Sequence, residues 1–464
     1  MNIIGTSLDG VYIIEPSVFD DSRGWFMETF RDDVLQNLGI HIDFIQDNHS
    51  MSEFKGTLRG IHFQNFPYAQ TKLVRCIRGE ILDIAVDLRK DSPNFKKWVG
   101  IVLSQENKKQ LLIPRGFGHA FLTLTDNTEV VYKVDDYYSK AHDRVVRYDD
   151  SDINIDWGCA KKIFLSDKDR NASLLSNSDC NFDAKMLVTG AKGQLGYDVI
   201  KLLQNKSIPC LGVDANDFDL TDTCAIRRFV EDYKPTAIIH CAAYTAVDAA
   251  EDDDRVCMAV NAIGTKNLAE VAKKTGAKFL YISTDYVYGG NGESPQSESN
   301  KPNPLNVYGR SKLMGEQEVI KAVKEYFILR TSWVFGKNGN NFVATMLRLA
   351  KEKPELNIVH DQTGSPTYTV DLAHTILDIV FSDKYGIYNV TNEGFCSWKE
   401  LSEEIFAQAG LTVKVKPVSS EEFLTKAMRP KNSRLDKSKL EQNGFKRLPK
   451  WQDALRRYLK EIEK

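Results

Sequence analysis

The chain has 464 residues, 42% of them hydrophobic and 27% charged, with a formal net charge of -3. That length exceeds one ordinary core and predicts two or three domains. The balanced charge gives no basic field for nucleic acid and no polybasic stretch for a membrane, no run approaches a membrane span, and the N-terminus lacks the basic and apolar regions of a secretory signal.

In chain order, the first part is a series of short strand-like runs. They cover Val11–Pro16, Trp25–Phe30, Lys72–Ile77, Glu80–Leu88, Trp98–Leu103, Leu111–Pro114, Phe121–Thr125 and Glu129–Val134. Arg78-Gly79-Glu80, between two such runs, predicts a hairpin. Short strands without a long amphipathic helix predict an all-β sandwich or barrel. Residues 174–185 are small and polar and read as a linker. From Met186 the texture changes. Strand-like runs (Met186–Thr189, Ala237–Cys241, Phe279–Ser283, Phe327–Leu329) alternate with helical ones (Gly196–Asn205, Ala225–Tyr233, Thr265–Thr275). That alternation predicts a parallel sheet covered by helices. The expected division is residues 1–175, a linker over 176–185, and 186–464.

Eight cysteines (Cys76, Cys159, Cys180, Cys210, Cys224, Cys241, Cys257, Cys396) form no CxxC pair. They read as buried small hydrophobes of a reducing compartment, which points to the cytoplasm. No HxxxH or HExxH spacing occurs, so no metal-ligating residue is assigned.

In the second part a strand runs into Gly190-Ala191-Lys192-Gly193-Gln194-Leu195-Gly196. Glycine permits a tight turn and close approach of pyrophosphate to the following helix N-terminus, so a dinucleotide is expected here. Asp214 ends the next strand. It either binds the adenosine ribose, favouring NADH, or caps an acidic loop, so NADH and NADPH both stay open. Tyr308 and Lys312 lie four apart on one helical face. A lysine beside a phenol is expected to lower its pKa and help it protonate a carbonyl oxygen as hydride reaches carbon. Ser283-Thr284 ends a strand from which a hydroxyl can reach the same oxygen.

These residues resemble the extended short-chain dehydrogenases, and among them the dTDP-4-dehydrorhamnose reductases. Also similar are the runs 242–248, 283–287, 330–334, 361–367 and 429–436. The resemblance implies a Rossmann-type, doubly wound parallel sheet with a small C-terminal substrate lobe. It implies Thr284, Tyr308 and Lys312 as catalytic residues and Asp285 and Trp333 as sugar contacts. Cofactor contacts would come from Gly190, Gly193, Gln194, Leu195, Gly196, Asp219, Leu220, Ala242, Ala243 and Tyr244, with Asp214, Tyr308 and Lys312. His240 stands where the family has asparagine and is expected to alter packing beside the nicotinamide. The resemblance also implies a homodimer with magnesium at its interface, without locating the ligands.

In the first part, alternation in a small barrel makes His62, Lys72, His119 and Tyr132 candidates for one lumen. Together they would make a poor plain core. Phe63 and Gln64 follow His62, so an HxH metal pair is missing and acid/base side chains are expected to act without metal. The runs RGIHFQ, KLVRCIRGEILDIAVDLR and PRGFGHAF resemble the dTDP-4-dehydrorhamnose 3,5-epimerases, which implies a cupin-like jelly roll. By that resemblance His62 is the base, Asp169 orients it, Lys72 stabilises an enolate and Tyr132 returns the proton. Arg23, Glu28, Gln46, Asp47, Asn48, Arg59, His119 and Lys168 would hold a nucleotide sugar, and Tyr138 would stack on thymine. Asp143 replaces the family's glutamate as a further substrate contact, and this shorter acid is expected to reach its neighbour through water.

The reading is a bifunctional enzyme acting on a small molecule. It would epimerise dTDP-4-dehydro-6-deoxy-D-glucose at C3 and C5 and reduce the C4 ketone with NADH or NADPH to dTDP-L-rhamnose. A 3-epimerase and 4-ketoreductase for another deoxysugar is one alternative. A non-catalytic regulatory homologue is another, which the presence of Tyr308 and Lys312 opposes.

Overall fold

The structure, a computed structural model, describes residues 1–37, 39–158 and 162–463. Cys159 lies outside the described residues. The chain divides into two compact units, Met1–Asp183 and Ala184–Lys464.

The first unit holds two antiparallel sheets. One runs in the order Asn2–Gly5, Tyr12–Glu15, Gln110–Ile113, Lys72–Arg78, Thr128–Val134, Gln46–Ser52. The other runs Asp143–Val145, Leu58–Gln64, Phe117–Thr123, Glu80–Asp87, Trp98–Ser104. The core lies between them: Val74, Cys76, Leu111 and Val130 from the first meet Ile81, Ala85, Leu103 and Phe121 from the second. This is the cupin-like jelly roll that was expected.

Three expectations change. Arg78-Gly79-Glu80 joins strands of different sheets, so it is a corner and not a hairpin. Gly79 has φ +76, and a Cβ there would stand 2.3 Å from Thr125 Oγ1. The two flanking strands thus face each other across the core from opposite sheets, Val74 and Cys76 from one and Ile81 and Ala85 from the other. The stretch read as a linker folds, up to Asp183, onto the first unit. Cys180 and Phe182 are buried, and the Phe182 ring lies 5.5 Å from Phe63 and 5.1 Å from Phe66. Between them the Asn181 side chain accepts from the Phe66 nitrogen at 2.9 Å and donates to the Phe66 carbonyl at 3.0 Å. Finally, Gln46–Ser52 and Leu58–Gln64 are strands, although their polar content masked them.

The second unit is built on a six-stranded parallel sheet. Its order is Cys210–Val213, Met186–Thr189, Ala237–His240, Lys278–Thr284, Tyr326–Thr331, Gly386–Asn389. The chain first steps outward from Met186–Thr189 and then returns to its other side. That switch point opens a crevice at the carboxyl ends of the strands. The helices Gln194–Asn205, Thr223–Tyr233 and Thr265–Thr275 agree with expectation to within two residues at their starts. A second core, with Phe335, Met346, Leu356, Ile405, Trp451 and Leu455, forms the C-terminal lobe. No described helix is long and apolar enough to cross a membrane.

Two candidate active sites

In the first unit, strand register brings His62 opposite His119. The Lys72 ammonium donates to the His62 carbonyl at 3.5 Å, and the His119 and Tyr132 rings are 6.4 Å apart. His62 Nε2 lies 2.5 Å from Asp169 Oδ1. Asp169 is buried on a short helix, Asp167–Arg170, whose N-cap Ser166 donates to its other oxygen at 2.7 Å. Burial alone would raise the Asp169 carboxyl, but His62 and Ser166 hold it below the usual range. Burial pushes Lys72 down to about 8, against the pull of Asp83 and Asp143. His119 is lowered by burial, partly offset by Asp83, whose Oδ1 is 2.7 Å from its Nε2. Burial raises the Tyr132 phenol, with the Arg59 charge acting against it.

Asp143 touches its neighbours directly. Its Oδ2 accepts from Lys168 at 2.6 Å and from Tyr138 at 3.0 Å. No bridging water is needed, because the strand Asp143–Val145 pairs with Gln64 beside His62 and carries the short side chain to them. Asn48 is the register partner of Tyr132 and binds Gln46 at 2.8 Å. Asp47 points the other way, exposed, to Lys133 at 2.9 Å. Arg59 is held by Ser52 and the Met51 carbonyl. Arg23 and Glu28 are not brought to this cluster by any described contact. Arg23 pairs with Asp21 on the hairpin Val18–Asp21/Gly24–Met27 with 88% of its side chain exposed, and Glu28 lies near Arg31.

In the second unit, a cavity of about 840 Å³ opens at the switch point. Its wall includes Gly190, Gly193, Gln194, Leu195 and Gly196, then Asp214, Asp219, Leu220, Ala242 and Ala243, and finally Thr284, Asp285, Tyr308, Lys312 and Trp333. Gly190 has φ +69, and a Cβ there would stand 2.7 Å from the Ala242 nitrogen. A Cβ on Gly196 would meet the Gly190 carbonyl at 2.1 Å. A glycine cradle at a helix N-terminus, beside a cavity of this size, fits a dinucleotide. Tyr244 is not part of the wall; its backbone is bound by Asn261 at 2.8 and 3.0 Å. The Asp214 carboxylate accepts from the Lys192 backbone at 2.9 Å.

Lys312 is buried, its ammonium 4.1 Å from the Tyr281 ring centre, and burial pushes it down to about 7. The expected lowering of Tyr308 is reversed: burial and the Asp285 charge raise the phenol, with only Thr284 acting against them. A raised phenol stays protonated, which is the state a proton donor requires. Burial likewise lifts Asp285 to about 7.

Residues 184–464 match the family model described as the RmlD substrate binding domain, and residues 5–177 match that of dTDP-4-dehydrorhamnose 3,5-epimerase. The dTDP-4-dehydrorhamnose 3,5-epimerase of Shigella flexneri is 51% identical over 180 residues, 39% of this chain and 98% of that protein. The spore coat polysaccharide biosynthesis protein SpsK of Bacillus subtilis is 39% identical over 277 residues, 60% of this chain and 97% of that protein. A crystal structure of dTDP-4-dehydrorhamnose reductase from Bacillus anthracis in complex with NADP is 44% identical, with a TM-score of 0.59, and covers 60% of this chain and 99% of that one. The chain belongs to both families, joined end to end.

Several residues of the two domains escaped sequence reasoning. In the epimerase domain these are Asp83, fully buried behind His119, and Ser166 behind Asp169. In the reductase domain they are Tyr281 beneath Lys312, and Trp398, which stacks on Trp333 with ring centres 3.6 Å apart. Asp83, Tyr281 and Trp398 have no motif, since each acts through a partner distant in sequence; Ser166 is a local helix cap three residues before Asp169. His240 of the reductase domain does not line the cavity. It is fully buried, its ring nitrogens bound to Thr189 at 2.7 Å and Thr265 at 3.1 Å. Burial, then the Lys312 charge, pushes it down to about 3, so it is neutral.

The described cysteines are free, but not all are buried: Cys224 is exposed and Cys210 and Cys241 are half-buried. Cys224 sits in the first turn of Thr223–Tyr233, whose core face is carried by Ile226 and Val230. Among the described residues no group of three or more His, Cys, Asp or Glu could hold a metal ion.

Proposed function

We propose that the epimerase domain inverts C3 and C5 of dTDP-4-dehydro-6-deoxy-D-glucose. The reductase domain then reduces the C4 ketone with NADH or NADPH, giving dTDP-L-rhamnose. The observation that carries this reading is the meeting of Thr284, Tyr308, Lys312 and the glycine cradle on one cavity of the reductase domain, with the His62–Asp169 pair carrying the epimerase half within its own domain.

The 4-keto group acidifies the protons at C3 and C5. One His62 ring nitrogen is held by Asp169, which leaves the other for that proton and stabilises the imidazolium formed. The Lys72 ammonium stabilises the enolate oxygen. Tyr132, kept protonated by burial, returns a proton, and return from the face opposite His62 inverts the carbon. Lys168, Arg59, Gln46, Asn48 and Tyr138 bind the nucleotide sugar.

In the second domain, the reduced nicotinamide supplies a hydride for C4 when bound. Tyr308 gives its proton to O4, and the Thr284 hydroxyl shares that oxygen. Lys312 stabilises the phenolate left behind. Asp285 and Trp333 orient the sugar.

We take the chain to be a cytoplasmic homodimer. Arg23 and Glu28 stand at a hairpin whose Phe19, Trp25 and Phe26 are 59%, 55% and 65% exposed, a face that a second copy would cover. Sedimentation at the mass of one chain would overturn this.

The test of function is the full chain with the 4-keto sugar in deuterated water. Without cofactor, solvent deuterium enters both C3 and C5; entry at C3 alone indicates the narrower epimerase. With NADH or NADPH, dTDP-L-rhamnose appears by NMR, and Tyr308→Phe abolishes cofactor oxidation. Equal oxidation by wild type and Tyr308→Phe sinks the reductase reading.

A further inference from the structure

Trp333, in the wall of the reductase cavity, has a left-handed backbone with φ +49. A bulky side chain rarely holds that conformation unless its surroundings impose it. Three contacts do so. The Trp333 indole lies on Trp398 with ring centres 3.6 Å apart and planes 14° apart. Its edge runs against Gly364, where an added Cβ would stand 2.8 Å from Trp333 Cε2. Its carbonyl accepts from the Thr367 nitrogen at 3.1 Å.

Trp398 is itself fixed. It opens the helix Trp398–Gln408 behind a capping box made by Ser397 and Glu400. Its Nε1 donates to Gln362 Oε1 at 3.1 Å, and the Phe342 ring lies 4.5 Å away. Gln362 in turn donates to Ser420 at 3.0 Å. The rigid element is therefore Trp398, and the strained one is Trp333.

We propose that Trp398, which itself reaches the cavity wall, acts as a positioning residue. It clamps the Trp333 indole in its left-handed setting and so sets the sugar-binding wall of the cavity, while Gly190 and Gly196 of the cofactor cradle pack against Ala242 and their own loop. The proposal rests on the reductase reading above.

The test uses the full chain, wild type against Trp398→Ala, Trp398→Phe and Gly364→Ala. Far-UV circular dichroism reads the exciton couplet of the stacked indoles. Steady-state NADPH oxidation reads the two KM values, with keto sugar pre-equilibrated by wild-type chain before the variant is added. In Trp398→Ala the couplet disappears and the sugar KM rises up to about tenfold, the upper end for a lost aromatic pair. The NADPH KM stays within about twofold, since the close backbone packing of Gly190 and Gly196 does not involve Trp398. Trp398→Phe loses the couplet and recovers part of the sugar KM, and Gly364→Ala, which crowds the Trp333 edge, raises the sugar KM alone. If Trp398→Ala fails to fold, the other two variants decide. An unchanged sugar KM, or equal rises in both KM values, overturns the clamp. If wild type itself does not oxidise NADPH with the sugar, the reductase reading fails, while a couplet that persists in Trp398→Phe overturns the clamp separately.

Discussion

His62 and Asp169, separated by 107 residues in the chain, meet at 2.5 Å across the first domain. The histidine comes from the strand Leu58–Gln64 and the aspartate from a single helical turn after the sheets are complete. The carboxylate is buried and serine-capped, so it can do little except orient and charge-balance the imidazole.

Replacing Asp169 by asparagine should therefore cost about 10²- to 10⁴-fold in proton exchange at C3 and C5, the range of a mispositioned general base. His62→Ala should stop exchange and leave reduction of pre-epimerised sugar intact. NMR of deuterium uptake measures both: exchange at wild-type rate in His62→Ala refutes His62 as base, and in Asp169→Asn it refutes the orienting role of the carboxylate.

In the proposed mechanism Lys72 stabilises an enolate, which it can do only while protonated. Its proton is held below about 8, so epimerisation should fall as pH rises through that value. Lys72→Arg keeps the charge at every pH used and should remove this alkaline limb, even if its absolute rate is lower. A limb that survives in Lys72→Arg assigns it to another group.

His240 bears on stability. It is neutral in the folded state down to about 3, while the unfolded imidazole titrates near 6.5. Above 6.5 both states are neutral and pH has no effect through this residue. Below it the unfolded chain takes the proton first, so stability falls with pH, by about 2 kcal/mol at a pH of about 5. His240→Asn should flatten that acid slope in urea midpoints. An unchanged slope would falsify the buried neutral state.

Arg330 and Glu316 form an ion pair with 2% and 1% of their side chains exposed, joined by two hydrogen bonds of 2.9 and 2.6 Å. Ser283 donates to the same carboxylate at 2.6 Å. Glu316→Ala leaves a buried guanidinium unpaired and should destabilise the second domain by about 3–5 kcal/mol, read from thermal unfolding. Glu316 lies one helical turn after Lys312, so reductase activity should fall with it.

The sequence by itself determined the alternation of strands and helices, the glycine turn, the Tyr308–Lys312 spacing and the two families. Those signals are local: they follow from side-chain periodicity, from the steric demand on glycine and from short motifs. Tertiary structure alone decided what surrounds them. It made Arg78-Gly79-Glu80 a corner, carried Phe182 onto the first domain and moved Tyr244 out of the cavity wall. It also reversed the shift on Tyr308, because burial and the neighbouring Asp285 outweigh what spacing to Lys312 suggested. Asp83, Ser166, Tyr281 and Trp398 were illegible for physical reasons. Asp83, Tyr281 and Trp398 act by contact with residues far along the chain, and such contacts exist only once loop closure has been offset by a packed core; Ser166 is local to Asp169, but its capping turn matters only once His62 arrives from the sheet.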